Sequence, residues 1–171
     1  MATVKLDMSG TLKLFKNAQR LSENGTRQAV EKSVKQLSAV YIRTAKKNTP
    51  VLGNVRRKDE RTGKVYQSKS GHMRRHWNVT DLERHGHRYE QTVYNDAATQ
   101  NSNGVTEYYA GYVNDGHRQK PGRYVPILGK RLVKDWVDGL HMREKAQKSV
   151  KRVSNRVITQ NLQKVERGLF D

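Results

Sequence analysis

The chain has 171 residues, of which 34% are hydrophobic and 29% are charged, so we expect one domain with a modest core. Its 34 lysines and arginines outnumber 16 acidic residues, and the resulting net charge of +18 points to an anionic partner, most often nucleic acid. The absence of cysteine excludes disulfides and thiolate metal sites, and no apolar run is long enough for a signal peptide or a membrane span, so we expect a cytosolic product.

The N-terminal part of the chain predicts two helices. A short helix over 11–22 is predicted because apolar residues fall on one helical face between two glycines. A longer helix over 26–47 is predicted because apolar residues recur every three or four positions, with Thr26 as its N-cap. The helix must end near Asn48, because Pro50 disfavours the helical conformation in the residue before it.

The middle of the chain predicts short strands and loops. Residues 53–69 are basic and have no apolar face, which indicates an exposed loop or a short hairpin. Two β-prone segments follow at 77–80 and 89–94, with a turn near 85–87. Residues 95–106 are polar and predict a loop.

The C-terminal part predicts one short and one long helix. Residues 108–113 fit one helical turn that Gly116 closes in a left-handed cap conformation. Residues 117–131 are irregular by pattern, and 132–140 fit a helix or a buried strand equally well. A long helix over 142–167 is predicted by an apolar face made of Ala146, Val150, Val153, Val157 and Val165.

The order of these elements predicts an α+β fold, because helices come first, then strands, then a helix. We expect a small antiparallel sheet packed by the helix at 26–47 and by the long C-terminal helix at about 142–167. We expect a single domain over 1–171, with the short helix at 11–22 preceding its core. No internal repeat is visible in the chain.

Several short motifs occur in a defined order. A helix ends in Thr49-Pro50-Val51, a turn reads Ser70-Gly71-His72-Met73-Arg74, and Tyr109-Ala110-Gly111-Tyr112-Val113-Asn114-Asp115-Gly116 follows. Gly139-Leu140-His141-Met142 then opens the last helix. Together they resemble the small neck and tail-completion proteins of long-tailed bacteriophages, known as the tail-component family. The motif residues with structural roles are Pro50, Gly71, Tyr109, Tyr112, Gly116 and Gly139.

The resemblance extends over about 26–167, with two departures. The family's turn follows its helix almost at once, whereas here the basic residues 53–69 intervene, so this stretch has the place of an inserted loop. Asn114 stands where the family has an acid, and Asp115 is next to it. The resemblance implies a non-enzymatic virion protein at the head–tail junction. Such proteins are thought to form a homo-oligomeric ring that joins the head connector to the tail.

A cluster of basic residues lies within and just after the inserted stretch. Cations of this kind bind phosphates without reading sequence, so we expect contact with double-stranded DNA in the channel or with an acidic patch on a neighbouring ring. A solvated, unengaged loop is the alternative. A free-standing, sequence-independent nucleic-acid-binding module is the second reading of the whole chain. The candidate residues are Arg56, Arg57, Lys58, Arg61, Lys64, Lys69, Arg74 and Arg75.

Enzymatic and metal sites are not expected. Zinc takes three or four rigidly held ligands, whereas the four histidines at 72, 76, 85 and 87 have no cysteine or acid pair nearby. They are better explained as surface or turn residues, and no cofactor is expected. A nuclease using His85, His87, Asn95 and Asp96 is a third, weaker reading, because their spacing matches no nuclease motif and no nucleophile elbow or phosphate loop occurs.

Four aromatic residues could stack on single-stranded bases. Core packing explains them better, because they occur at helical or strand spacing among valines. These residues are Tyr109, Tyr112, Tyr124 and Trp136.

Overall fold

A computed structural model describes residues 2–5, 23–51, 53, 56–60, 62–67, 70–100, 103–126 and 128–167, with the backbone alone described at 2–5. The predicted short helix at 11–22 lies outside the described residues. The chain divides into two compact units. The hairpin unit comprises Lys46–Trp77, Asn95–Met142 and Met1–Ala2, and the helical unit comprises Thr3–Ala45, Asn78–Tyr94 and Arg143–Asp171. The single domain over 1–171 stays a prediction.

Helices and short strands alternate through the described residues. The helices are α1 (Glu23–Asn48), α2 (His72–Arg75), α3 (Ala110–Asp115) and α4 (Met142–Glu166). The first strands are β1 (Ala2–Lys5), β2 (Arg56–Lys58), β3 (Val65–Gln67), β4 (Trp77–Val79), β5 (Glu83–His85), β6 (Arg88–Glu90) and β7 (Thr92–Asn95). The later strands are β8 (Ala98–Gln100), β9 (Thr106–Tyr108), β10 (Gly116–Arg118), β11 (Tyr124–Val125), β12 (Lys130–Arg131) and β13 (Trp136–Asp138).

The predicted helix at 26–47 is confirmed as α1. Thr26 lies inside α1 rather than before it, so its prediction as N-cap is wrong. The helix ends at Asn48, two residues before Pro50, as the restriction on residues preceding proline requires. Its apolar stripe is buried, and in the helical unit Val30 and Val34 pack with Tyr89 of β6. Burial of this stripe, rather than helix propensity alone, stabilises α1.

The long C-terminal helix is confirmed as α4, but its buried face is centred differently from the prediction. Ala146, Val150 and Ile158 are buried, whereas Val153 and Val157 are only partly covered. The centre of this face also contains Asn161, which is 1% exposed.

Asn161 connects the two long helices. Its Nδ2 donates to Ser33 Oγ and to Gln36 Oε1, both at 2.9 Å, and these acceptors belong to α1. Ser33 Oγ in turn donates to the Ala29 carbonyl oxygen at 2.7 Å. A buried amide costs stability unless it is paired, so these bonds fix the contact between α4 and α1.

The strand predictions are partly confirmed. The predicted strand at 77–80 is β4, and β1, β7 and β4 form a three-stranded sheet in that order. The predicted turn at 85–87 is confirmed, because β5 pairs antiparallel with β6 around Gly86, which has a φ of 63°. The predicted strand at 89–94 is divided at Gln91, whose side-chain Nε2 donates to the Thr80 carbonyl oxygen at 3.0 Å.

Among its described residues, the hairpin unit contains the antiparallel pairs β2 with β3, β8 with β9, β10 with β13, and β11 with β12. The prediction of a loop at 95–106 is therefore wrong, as is that of irregular structure throughout 117–131. The undecided segment at 132–140 contains the exposed strand β13. These strands have two or three residues each, which is too short for an alternating pattern to appear in the sequence.

The fold is α+β, as predicted, with long helices and small antiparallel sheets. No helix in the described part of the chain combines the length and apolarity that a bilayer crossing requires.

Candidate functional site

Residues from the first family motifs meet around one open pocket in the hairpin unit. The pocket has a volume of about 580 Å³, and Pro50, Gly71 and Tyr109 all contribute to its wall. Its described lining includes no lysine, arginine, aspartate or glutamate, so it suits an uncharged group. The lining residues are Pro50, Val51, Gln67, Gly71, His72, Met73, Ala98, Thr99, Tyr109 and Val113.

A hydrogen bond links two of the motifs at this pocket. Tyr109 OH lies 2.6 Å from His72 Nδ1, and the His72 ring lies 4.2 Å from that of His76, centroid to centroid. His76 Nδ1 lies 2.8 Å from Asp96 Oδ1. Burial raises the pKa of Tyr109 above its usual range, so its hydroxyl, which is protonated near neutral pH in any case, remains able to donate to His72 in alkaline solution as well. The pair therefore holds the Gly71 turn beside the start of α3.

The histidines do not form a metal centre with acidic neighbours. No group of three or more histidine, aspartate or glutamate side chains in the described ranges is arranged to hold a metal ion. His72 is half-buried in the pocket wall and His76 is half-buried beside it, whereas His85 and His87 are exposed. The absence of a bound metal or cofactor stays a prediction.

The last turn of α3 packs directly against the backbone that precedes α4. The amide of Leu140 donates to the Val113 carbonyl oxygen, and the amide of His141 donates to that of Asn114, both at 3.0 Å. The Asn114 side chain is 1% exposed, and its Nδ2 donates to Asp115 Oδ1 at 2.6 Å. The buried amide at this motif position is thus joined to the acid next to it.

Gly116 and Gly139 make this close approach possible. Gly116 has φ 86° and ψ 169°, so its backbone is extended with a positive φ, and the predicted left-handed helical cap is wrong. A Cβ placed on Gly116 would lie 2.6 Å from the Val137 carbonyl oxygen. A Cβ on Gly139 would lie 2.6 Å from the Asp115 carbonyl carbon. Gly116 is therefore required by its positive φ and by the close approach, and Gly139 by the close approach alone.

The basic candidate residues have different roles. Arg74 Nη2 donates to the Thr49 carbonyl oxygen at 2.9 Å, and Arg75 Nη1 donates to that of Ser70 at 2.6 Å. Thr49 also accepts from Trp77 Nε1 at 2.8 Å through its hydroxyl, so Arg74 belongs to the packing at the end of α1. These arginines support the Gly71 turn, which reduces their availability to a partner.

Strands β2 and β3 form an exposed hairpin that Arg57 anchors. Arg57 Nη1 donates to the Leu128 carbonyl oxygen at 2.7 Å, next to the turn at Gly129. Arg56, Lys58 and Lys64 are exposed, and none of the ion pairs among the described residues includes them. Arg61 and Lys69 lie outside the described residues. The contact of this cluster with DNA or with an acidic partner stays a prediction.

Replacing Arg57 with glutamine should lower the free energy of unfolding by about 0.5 to 1.5 kcal/mol, because a charge-assisted bond to Leu128 is lost at an exposed site. The same replacement at Arg56 should change it by less than about 0.5 kcal/mol. Urea denaturation of the two variants measures the difference. Equal stabilities would contradict an anchoring role for Arg57.

The aromatic residues are more exposed than predicted. Tyr112 is 58% exposed, Tyr124 45% and Trp136 44%, so core packing is wrong for these three. Only Tyr109 is half-buried. The spacing correctly indicated helix and strand positions, but these elements are too short to cover their side chains on both faces.

One charged surface was absent from the predicted sites. The exposed side of α4 carries lysines and arginines without acidic residues from Lys145 to Val165. The signal was present in the sequence, because a long helix with a one-signed polar face is visible there without any structure.

Comparison with known proteins gives one match. A family model described as "Bacteriophage HK97-gp10, putative tail-component" matches residues 13–116. No curated protein and no solved structure matches the chain. The matched range includes Pro50, Gly71, Tyr109, Tyr112 and Gly116, whereas Gly139 and α4 lie beyond it. Since the match covers more than half of the 171 residues, the chain belongs to the HK97-gp10-like family of bacteriophage tail components.

Proposed function

We propose that this chain is a non-enzymatic structural protein at the head–tail junction of a tailed phage. Its copies form a homo-oligomeric ring around the DNA channel, and the ring joins the head connector to the tail. Assembly takes place in the host cytoplasm, and the finished protein resides in the neck of the virion. Membership of a phage tail-component family supports a structural role in the virion among other phage proteins.

The distribution of exposed apolar side chains carries this proposal. Of the large apolar residues that the described part of the chain exposes, all but Val79 belong to the hairpin unit. Val133 is 87% exposed, and the exposed set also includes Tyr112 of the family motif and Tyr108, which directly precedes that motif. Single exposed apolar residues need no explanation, but their concentration in one unit is typical of a protein–protein interface.

A ring can form through this surface if one part of the surface on each copy contacts a different part on the next copy. Such head-to-tail contacts close into a ring when the rotation between copies permits it. The net charge of +18 opposes closure, because like-charged copies repel each other at low ionic strength. We therefore expect the adjoining connector or tail protein to be needed for a stable ring.

Sedimentation of the purified chain at low salt, alone and with the adjoining neck proteins, tests the assembly. The expected result is small species alone and a closed oligomer in the mixture. A reconstruction of the whole particle tests the location, and the expected density for this chain is a ring at the neck. Density confined to the distal tail would contradict the proposed position, and a tight ring of the lone chain would contradict the argument from repulsion.

A sequence-independent nucleic-acid-binding module is the second candidate function. The exposed cations of the β2–β3 hairpin and of α4 favour it. The two functions differ in one outcome, because a free-standing module would be missing from purified particles, whereas a neck protein must be present in stoichiometric amount.

A further inference from the structure

Helix α4 exposes a straight column of cations. Lys145, Lys148, Arg152 and Arg156 follow each other at steps of three, four and four residues, which is the spacing of one helix face. We call these four residues the basic column. All four are exposed, and the buried residues Ala146, Val150 and Ile158 occupy the other side of the helix.

The same face continues without an acid. Thr159 and Gln163 extend the column by further steps of three and four residues, and both are exposed. The exposed residues of α4 between Lys145 and Lys164 are lysine, arginine, glutamine, asparagine and threonine. Between these two positions the surface offers hydrogen-bond donors and positive charge, and the acids of α4, Glu144 and Glu166, lie outside this stretch at its two ends.

Three of the column's side chains are outside the ion pairs that the described part of the chain forms. None of the ion pairs among the described residues includes Lys148, Arg152 or Arg156. This separates them from Arg57 and Arg74, which donate to backbone carbonyl oxygens. Like charges at helical spacing repel one another, so an external anion would stabilise this arrangement.

The chemistry of the face indicates the class of anion. Protein interfaces have a desolvated centre with aromatic or aliphatic anchors, and the exposed side of α4 between Lys145 and Lys164 has neither. Nucleic-acid backbones are bound by lysine, arginine and uncharged polar side chains, which are the residue types present. Eleven residues of helical rise place Lys145 and Arg156 about 16 Å apart, a length of about five base-pair steps of duplex DNA.

We propose that the basic column of α4 binds the phosphate backbone of double-stranded DNA without sequence preference. Whether the isolated chain binds DNA does not depend on whether the chain lies in the neck of the virion. The further statement that the column faces DNA in the assembled channel rests on the proposed function.

The test measures affinity of the full-length chain for a fluorescent duplex of arbitrary sequence across a range of salt concentrations. The variant K148Q/R152Q/R156Q removes three column charges while keeping residues that favour a helix. Its slope of log affinity against log salt should be shallower by about 2.7, which is about 0.9 for each lost phosphate contact. Its affinity at low salt should fall by at least about tenfold.

Two matched variants remove three charges elsewhere. K32Q/K35Q/R43Q neutralises exposed positions of α1, and R56Q/K58Q/K64Q neutralises the β2–β3 hairpin while leaving Arg57 in place. The α1 variant should retain a slope close to that of the unmodified chain, and the hairpin variant measures separately the DNA contact predicted for the β2–β3 hairpin. The variant R152K/R156K should also retain the slope of the unmodified chain, because phosphate contact requires the charge and not the guanidinium group. Circular dichroism should show the same helix content in every variant.

Three other outcomes overturn the proposal. Equal losses in the α1 variant would show that net charge alone controls binding, and a loss confined to the hairpin variant would move the contact to β2–β3. No binding of duplex by the unmodified chain would exclude DNA as the ligand. In that case, failure of the column variant to yield tailed particles would identify an acidic protein as the partner. DNA binding by a chain that is absent from the neck would leave this proposal intact and contradict the proposed function.

Discussion

Replacing Gly116 with alanine should lower the free energy of unfolding by about 2 to 5 kcal/mol. One part of the loss comes from φ, which is 86° in the native state and is unfavourable for any residue with a Cβ. The other part comes from the new methyl group, which would lie 2.6 Å from the Val137 carbonyl oxygen and 2.9 Å from the Gly139 amide nitrogen. Because these are backbone atoms of a paired strand and its neighbour, a side-chain rotation cannot relieve the overlap.

Replacing Gly139 with alanine should also destabilise the chain, but for one reason only. Its φ is not positive, so alanine should cost about 1 to 3 kcal/mol through overlap alone. The methyl group would meet the backbone of Asp115 and would lie 2.8 Å from the Gly116 amide nitrogen. Gly116→Ala should therefore destabilise the chain more than Gly139→Ala.

Gly111→Ala is the matched control for both changes. Gly111 lies inside α3, its φ is not positive, and a Cβ there meets nothing within 4 Å. Alanine should stabilise this helix by about 0.5 to 1 kcal/mol, since glycine loses more conformational freedom on folding. Urea denaturation of the three variants should give opposite signs for Gly111 and Gly116. An unchanged midpoint for Gly116→Ala would show that β10 and β13 do not approach as closely as described.

The long helices could be predicted from the sequence because their pattern repeats over several turns. The apolar residues of α1 return often enough to indicate one buried face, and Pro50 marks its end. The centre of the buried face of α4 could not be predicted, because it includes a polar residue. Asn161 is buried through bonds to residues on α1, more than a hundred positions away in the chain.

The hairpins were harder to predict for a physical reason. A strand of two or three residues shows no alternation of apolar and polar residues. The strand conformation of β8, β9, β11 and β12 is therefore determined by backbone pairing and by turns. A turn such as Gly104, with a φ of 76°, is compatible with both a loop and a hairpin until its partners are known.

The different roles of the basic residues in the β2–β3 hairpin could not be predicted from the sequence either. Arg56 and Arg57 are neighbours of identical chemistry, yet only Arg57 has a bond across the unit to Leu128. That bond joins residues 71 positions apart, and no local sequence pattern predicts it. The absence of acids along α4, in contrast, is a property of the sequence itself, and greater weight on that pattern would have found the basic column.

The second large effect concerns assembly. Val133→Asp should leave the free energy of unfolding within about 0.5 kcal/mol, because the Val133 side chain is 87% exposed. In the assembled ring this side chain becomes buried against a neighbouring copy under our proposal, and an unpaired carboxylate there is strongly unfavourable. A loss of 2 kcal/mol or more per contact corresponds to about a thirtyfold loss of affinity.

The measurement is the yield of tailed particles when a phage that lacks this gene is supplied with the variant chain. We expect a fall of at least about tenfold for Val133→Asp and near-normal yield for Val133→Ile, which keeps the site apolar. Val79→Asp places the same charge on an exposed valine of the helical unit and should assemble normally. Repulsion between copies cannot explain a selective loss at Val133, because both aspartates lower the net charge of +18 by one. Normal yield with Val133→Asp would show that this part of the hairpin unit stays exposed in the virion, and the interface would then have to lie elsewhere on that unit.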